Sequence, residues 1–374
     1  MALQQQAEKL QKEIDDRRQE IKSDGYLMSI GEWISLYEDR EIDIHPEFQR
    51  FFRWSSHQKT SLIESILLGI PIPPIFVSQR EDGIWDVVDG LQRLSTIYEF
   101  AGKLRDEDNQ VSKPLVLEKT KYLPSLEGKK WEDPNDLENS FTQAQRLLIK
   151  RSKIAVNILQ KESDEMAKYD LFQRLNAGGS IATPQEIRNC ILVMYNKKMY
   201  HWMRDLSKNE AFQACLSLSD RSIEEQYDME LLLRFLILRA IDETELRNIG
   251  DISTFLTDRM VDIARREQFN YQQETEAFQR TFEILLGQLG SDAFRKYDKS
   301  KDRFFGGFLV SAFEVIALGI GYNYKSLPHS TVDLKDVVKL VWTETKYPSW
   351  SGGGTDAKRR IPKLVPLGRE MFKA

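Results

Sequence analysis

Residues 84–93 read I-W-D-V-V-D-G-L-Q-R, and this stretch decides the fold of the N-terminal part of the chain. Its apolar first half predicts a strand over residues 84–88, which Asp89-Gly90 closes. A helix is predicted directly afterwards, over residues 91–100. A strand, a tight turn and a helix in immediate succession are typical of a small α/β unit.

The same junction is the sharpest candidate for chemistry. Glycine lets the backbone approach a ligand, and a helix N-terminus offers unpaired N–H groups that favour phosphate. Arg93 could fork onto phosphate oxygens, Asp89 could hold a divalent cation, and Gln92 could orient a water or a base edge. In the structural alternative, Asp89 caps the helix, Gly90 relieves strain and Arg93 pairs with a neighbouring acid, and spacing alone leaves both interpretations open.

The elements around the junction complete the α/β unit. Ser29 with Glu32 and Ser55 with Gln58 have the capping-box spacing that begins a helix. Further strands are predicted at residues 42–44, 75–77 and 153–160, and a loop-rich excursion at 103–140. The first 22 residues have the apolar spacing of a short amphipathic helix.

Two further segments could contact a ligand. Gln49 and Arg50 follow a predicted strand and lie near Arg53 and several aromatic residues in the sequence. This pattern is consistent with phosphate binding and base stacking. It is equally consistent with aromatic residues in the core and arginines on the surface. The loop N-A-G-G-S at residues 176–180 could bring backbone N–H groups to a ligand or end a helix as an ordinary C-cap.

From Ser163 onward the apolar spacing is helical. Helices are predicted over residues 163–175, 184–200, 228–248, 252–286 and 305–320. Residues 341–374 hold seven Lys or Arg against three Asp or Glu, a local charge of +4.

Composition excludes several function classes. Lys and Arg number 53 against 58 Asp and Glu, a net charge of −5, which argues against a strongly basic nucleic-acid coat. The two cysteines, Cys190 and Cys215, cannot make a four-ligand zinc site and are expected to be buried and reduced. The four histidines are scattered, which argues against a zinc hydrolase. With no apolar run near 18 residues and no export signal, a cytoplasmic protein without membrane contact is expected.

Motifs in a fixed order resemble one family. They are I-x-P-x-F-Q-R-x-x-x-W, E-S-I-L-L-G-I-P-I-P-P-I, V-V-D-G-x-Q-R-L-S-T-I, F-x-R-L-N-x-G-G and E-I-R-N, within residues 29–195. They look like the DGQQR-motif family, the N-terminal domain of modification-dependent restriction and phosphorothioate-sensing antiphage proteins of the GmrSD and SspE kind. The N-terminal part is also similar to the ParB/sulfiredoxin fold, whose comparable motifs surround a nucleoside triphosphate.

The resemblance implies a role for particular residues. Asp89, Gly90, Gln92 and Arg93 match the motif associated with binding and hydrolysis of a nucleoside triphosphate. Gln49 and Arg50 match the Q-R pair that faces the same pocket, and Asn176, Gly178 and Gly179 match the N-x-G-G loop. Leu91 stands where the family usually has glutamine, which puts hydrolysis in question. The chain also lacks the length and histidines of the HNH-type nuclease that two-domain relatives append.

The sequence therefore predicts an α+β protein in three parts. An N-terminal helix is expected at residues 1–28, a ParB-like nucleotide-binding domain at 29–162, and a mostly helical domain at 163–374. The expected function is to bind and hydrolyse a nucleoside triphosphate with Mg²⁺ in a bacterial antiphage or restriction system. Asp89, Gln92 and Arg93 would be catalytic, with the metal on Asp89.

Two other functions stay open. One is a nucleotide-gated DNA-binding or adaptor module without turnover, which acts with a separate nuclease or defence partner and contacts DNA through Lys358, Arg359 and Arg360. The weaker one is a nuclease that uses the loose pattern Asp333, Glu344 and Lys346. The oligomeric state and the preferred base are not determined by the sequence.

Overall fold

The computed structural model describes residues 10–11, 23–44, 54–106, 108–160, 183–327, 333–343, 346–351 and 355–373. The chain divides into two compact units, with the boundary between Ala182 and Thr183. The first unit is a small α/β region with a mixed sheet, and the second is mostly helical, which confirms the predicted fold class.

The first unit is organised on a five-stranded sheet. Its strands are β1 (Ser23–Ser29), β2 (Ile42–Asp43), β3 (Ile75–Gln79), β4 (Trp85–Asp89) and β5 (Lys153–Leu159). They lie in the order β1-β5-β3-β4-β2. The β2–β4 and β3–β5 pairs are parallel, whereas β1–β5 and β3–β4 are antiparallel. The β3–β4 hairpin lies inside the sheet and delivers the end of β4 to the candidate site.

The helices of this unit include two, α1 and α2, that begin where the predicted capping residues place them. They are α1 (Ile30–Glu38), α2 (Ser56–Leu68), α3 (Leu91–Phe100) and α4 (Gln143–Arg151). Ser29 accepts the backbone N–H of Glu32, and Ser55 with Gln58 forms a complete capping box. Gly69 ends α2 with φ 71°, a left-handed conformation that glycine adopts without steric cost.

Strand β1 differs from the expectation. Residues 1–28 were expected to be helical, but Ser23–Ser29 pairs along its whole length with β5, from Ser23 opposite Leu159 to Ser29 opposite Lys153. Residues 23–29 are therefore a strand, whereas most of the helix predicted over the first 22 residues lies outside the described residues. The pairing joins segments about 130 residues apart, so no local pattern of residues 23–29 reveals it.

The excursion at residues 103–140 is loop-rich, as predicted, with one short 3₁₀ turn at Pro124–Leu126. Glu64 of α2 is buried and holds this loop. Its Oε1 accepts the backbone N–H groups of Leu123 at 3.0 Å and Tyr122 at 3.2 Å, and the hydroxyl of Thr120.

Helices make up most of the second unit, with one hairpin. The helices are α5 (Pro184–Ser207), α6 (Glu210–Leu216), α7 (Asp220–Glu224), α8 (Tyr227–Leu238), α9 (Glu243–Leu246), α10 (Ile252–Ala264), α11 (Tyr271–Gln288), α12 (Val310–Tyr322), α13 (Leu334–Thr343), α14 (Lys346–Trp350) and α15 (Ala357–Met371). The hairpin strands are β6 (Lys296–Asp298) and β7 (Arg303–Phe305).

Two predicted helices prove to be interrupted. The one over residues 228–248 ends at Leu238 and resumes as α9, where Asp242 accepts the N–H of Thr244. The one over 252–286 is split into α10 and α11, where Asn270 accepts the N–H of Gln273. In both cases an Asx side chain caps a new helix, and this local signal outweighs the apolar spacing. The helix predicted over 163–175 lies outside the described residues.

The core of the second unit forms around α12, whose residues from Ser311 to Gly321 are all buried. Helix α15 crosses α12 closely, because Gly319 and Gly368 lie at the contact. In the described part of the chain, no helix has the length and apolarity needed to cross a membrane.

Candidate functional site

The candidate site is the junction between the end of β4 and the start of α3. Strand β4 ends at Asp89, and Gly90 precedes α3 with φ 97°, a conformation that other residues adopt only with strain. A Cβ on Gly90 would lie 2.3 Å from Cδ1 of the buried Ile75. Because Gly90 carries no side chain, no side-chain oxygen caps the first turn of α3. Asp89 therefore does not cap α3, but the other two parts of the structural alternative are present: Gly90 has a positive φ, and Arg93 pairs with a neighbouring acid, Asp89.

Arg93 is held on three sides by the protein. Its Nη2 donates to Oδ2 of Asp89 at 2.6 Å, and its Nη1 donates to the carbonyl of Pro74 at 3.0 Å and to that of Pro73. The Arg93 side chain is 11% exposed and that of Asp89 is 28% exposed. The guanidinium thus ties the first turn of α3 to the end of β4 and to the proline-rich approach to β3.

Gln92 connects the junction with the segment before α2. Its Oε1 accepts the backbone N–H of Trp54 at 3.1 Å. Trp54 immediately precedes Ser55, the N-cap of α2, so this hydrogen bond joins the first turn of α3 to the start of α2. Leu91, which stands at the family's usual glutamine position, is buried at 9% exposure. The junction therefore presents the amide of Gln92 but no second one at position 91.

Five predicted nucleotide-binding residues lie outside the described residues: Gln49, Arg50, Asn176, Gly178 and Gly179. The structure brings together the other four of the motif: Asp89, Gly90, Gln92 and Arg93.

A metal at this site would depend on Asp89. Within the described ranges there is no group of three or more His, Cys, Asp or Glu side chains that could hold an ion. Oδ2 of Asp89 accepts from Arg93, which leaves Oδ1 as a donor atom. Mg²⁺ is commonly held by one or two carboxylates together with phosphate oxygens and water. The donor set therefore fits a Mg²⁺ that arrives with a nucleotide, not one held by the protein alone.

The predicted DNA-contacting residues at the start of α15 differ in their surroundings. Lys358 and Arg359 are exposed. Arg360 points inward and donates to both oxygens of the fully buried Glu314, from Nε at 2.6 Å and from Nη2 at 3.0 Å. Burial acts to lower the pKa of Arg360, but the hydrogen bonds to Glu314 and the negative charge of that carboxylate together raise the pKa above its usual value. Arg360 is committed to the core of the second unit.

Glu314 belongs to a wider ion-pair network that includes the E-I-R-N motif. Arg234 donates to Glu314 at 3.2 Å and to Glu230 at 2.8 Å. Arg188, of the motif, is 1% exposed and donates to Glu230 at 2.6 Å. The network joins α5, α8, α12 and α15. Its members lie up to 172 positions apart, so sequence spacing gave no signal for it.

The weaker nuclease pattern gains no support from the described residues. Asp333 accepts the N–H of Lys335 at 2.9 Å at the start of α13, a capping role. Glu344 lies outside the described residues.

Comparison with known families gives one match. Residues 30–193 match the family model of the N-terminal domain of the GmrSD restriction endonuclease. No curated protein matches the chain significantly, and no solved structure does. The likeness to the ParB/sulfiredoxin fold accordingly stays a prediction. The matched range contains every motif named above, from residue 44 to residue 189. Residues 30–193, with the junction of β4 and α3 inside them, are therefore similar to the N-terminal domain of the GmrSD restriction endonuclease.

Proposed function

We propose that the first unit binds a nucleoside triphosphate at the junction of β4 and α3 and hydrolyses it with Mg²⁺. The family match of residues 30–193 supports a role in a bacterial restriction or antiphage system. In that setting, nucleotide binding would be coupled to DNA sensing or to the action of an effector. The observation that carries the proposal is Gly90, whose left-handed backbone leaves the N-terminus of α3 without a side-chain cap beside a carboxylate and a guanidinium.

The phosphates would lie against the first turn of α3. Backbone N–H groups at a helix N-terminus and the helix dipole both favour an anion there. Helix α3 has ten residues, enough for the dipole to contribute. A side chain at position 90 would clash with Ile75 and crowd the guanidinium of Arg93, which is a second reason for glycine besides φ.

The side chains of the motif would divide the remaining tasks. Oδ1 of Asp89 would ligate the Mg²⁺ that the nucleotide brings, and the Mg²⁺ would neutralise charge on the phosphates. Gln92 would orient the attacking water. Arg93 orients Asp89 through the 2.6 Å ion pair and adds positive charge near the phosphates during transfer.

The test is phosphate release by the purified full chain with Mg²⁺ and each nucleoside triphosphate. We expect Asp89→Asn to lower the rate about 100-fold or more, in line with the loss of a charge-stabilising group. Asp133→Asn is the matched control, because Asp133 is an equally exposed carboxylate that is ion-paired with Lys130 away from the junction. Equal rates for wild type and Asp89→Asn would contradict the catalytic proposal.

A second candidate, a nucleotide-gated DNA-binding or adaptor module without turnover, is favoured by a separate observation. Leu91 supplies no amide, and the oxygen of Gln92 already accepts from Trp54. This function predicts a rise in melting temperature with a nucleoside triphosphate but no phosphate release. A ligand at 100 times its Kd stabilises the native state by about 2.7 kcal/mol, so binding is measurable without turnover.

A further inference from the structure

The helical second unit carries one antiparallel hairpin, formed by β6 and β7 between α11 and α12. Lys296 lies opposite Phe305, Tyr297 opposite Phe304, and Asp298 opposite Arg303. Residues 299–302 form the turn at its tip, where the N–H of Lys301 donates to the carbonyl of Asp298 at 3.2 Å. Sequence analysis predicted no strand here.

The two faces of the hairpin differ in chemistry, because successive side chains of a strand point to opposite sides. One face carries Tyr297 and Phe304, whose rings lie 5.1 Å apart and are half-buried. Lys339 of α13 lies over the Tyr297 ring, so this face is turned toward the unit. The other face presents Lys296, Arg303 and Phe305, all exposed.

Charge on the hairpin is opposite in sign to that of the whole chain. Residues 295–305 contain five basic and two acidic side chains, a local charge of +3 in a chain of net charge −5. Both carboxylates are engaged. Oδ1 of Asp298 accepts from the hydroxyl of Ser300 at 2.6 Å, and Asp302 accepts from the hydroxyl of Tyr297 at 2.7 Å and pairs with Lys339 at 2.9 Å.

Three of the five basic side chains, in contrast, are not neutralised by ion pairs. Lys299 and Lys301 at the tip and Arg303 on the outer face are exposed, and none of them lies within 4 Å of a carboxylate in the part of the chain that the structure describes. The tip and the outer face therefore carry three exposed positive charges that form no ion pair, together with Asp298 opposite Arg303 and the ring of Phe305, which is 41% exposed.

We propose that this hairpin is a duplex-DNA contact, inserted as a two-stranded ribbon into the major groove. The groove is about 12 Å wide and admits such a ribbon. Lys299, Lys301 and Arg303 would contact phosphates, and Phe305 would make apolar contact at the base edges. These hairpin residues are distant in sequence from Lys358 and Arg359, and the sequence analysis does not predict them to bind DNA. The inference rests on the proposed role in DNA sensing but not on nucleotide binding at the junction.

The test measures binding of a fluorescent DNA duplex to the full chain by anisotropy, over 50–300 mM salt and without nucleotide. The variant is K299Q/K301Q/R303Q. The matched control is K113Q/K119Q/R151Q, which removes the same charge from three exposed side chains of the first unit. Each phosphate contact adds about 0.9 to the slope of log affinity against log salt, so the hairpin variant should lose about 2–3 from that slope and bind about tenfold more weakly or worse.

The control variant should bind DNA like the wild type, which would attribute the loss to the hairpin and not to net charge. Equal loss in both variants, or none in the hairpin variant, would overturn the inference. Duplex RNA of the same sequence should bind more weakly, because its major groove is too narrow for a ribbon, and equal affinity would also count against the groove contact. The rise in melting temperature with nucleoside triphosphate should be the same in the hairpin variant as in the wild type. This measurement separates a failure of nucleotide binding at the junction from a failure of DNA binding by the hairpin.

Discussion

At the scale of single residues, Arg93 is required both by the phosphate-binding hypothesis and by the fold. A phosphate-binding hypothesis needs its guanidinium, yet the structure already uses it to hold Asp89 and two proline carbonyls. Replacement of a largely buried arginine leaves its acceptors without donors and destabilises the fold. Loss of activity in an Arg93 variant would therefore not distinguish a catalytic role from a role in stabilising the fold. Asp89→Asn is the better test, because it keeps the shape of the side chain.

Gly90 allows a sharper test at the same scale. Gly90→Ala should destabilise the chain more than Gly83→Ala, although both residues have positive φ, because a Cβ at position 83 meets nothing within 4 Å. The added clash with Ile75 should cost about 1–3 kcal/mol beyond the strain that both variants share. Urea unfolding measures the difference.

The Ile75→Val background checks the cause of this difference. It removes the Cδ1 methyl group that the new Cβ would strike, so Gly90→Ala should cost less free energy of unfolding in that background than in the wild type. An equal cost in the two backgrounds would show that the contact with Ile75 is not responsible.

At the scale of elements, the sequence predicts features set by neighbouring residues, but not strands that depend on pairing with a distant segment. Ser29 and Ser55 begin their helices as the capping spacing predicts, and β4 ends at Asp89, immediately before Gly90. Strand β1 and the hairpin of β6 and β7 were missed. The first exists through pairing with β5, and the second has strands of only three residues, too short for a clear alternation.

The crossing of α12 and α15 gives an element-scale prediction. A Cβ on Gly368 would lie 2.1 Å from the carbonyl oxygen of Val315, a backbone atom that cannot turn aside. Gly368→Ala should therefore separate the helices and lower the free energy of unfolding by about 1–3 kcal/mol or more.

Gly287→Ala is the control for that substitution. Gly287 also lies in a helix, α11, but its Cβ would meet nothing within 4 Å. Since alanine has the higher helix propensity, this variant should be stabilised by about 0.5–1 kcal/mol. The same sign of change at both positions in urea unfolding would refute the close crossing.

At the scale of the whole molecule, the sequence predicts an α+β chain with a small α/β part followed by a mostly helical part. It also locates the junction of β4 and α3. It could not assemble the network of Arg188, Glu230, Arg234, Glu314 and Arg360, because ion pairs between distant helices depend on packing. Nor could it show that Arg360 is turned into the protein while Lys358 and Arg359 face solvent.

Alkaline pH should destabilise the chain, because burial favours the neutral forms of particular side chains. Burial raises the pKa of Cys215 from 9.0 to about 12 and that of Tyr227 from 10.0 to about 12. The unfolded chain therefore releases these protons at lower pH than the native chain. Their contribution to stability is intact below pH 9 and is lost as the pH rises to about 12. Urea unfolding between pH 8 and pH 11 measures this, and the C215A/Y227F variant should show a shallower decline; an identical decline would assign the effect to other groups.

The position of β1 has a practical consequence for work on fragments. The family match begins at residue 30, one position after β1 ends, so a protein trimmed to the match would lack the outermost strand. The N–H and C=O groups of β5 that β1 normally satisfies would then face solvent, and a bare strand edge of this kind recruits other chains. Truncations should start upstream of Ser23, since those that start at Ile30 are expected to aggregate.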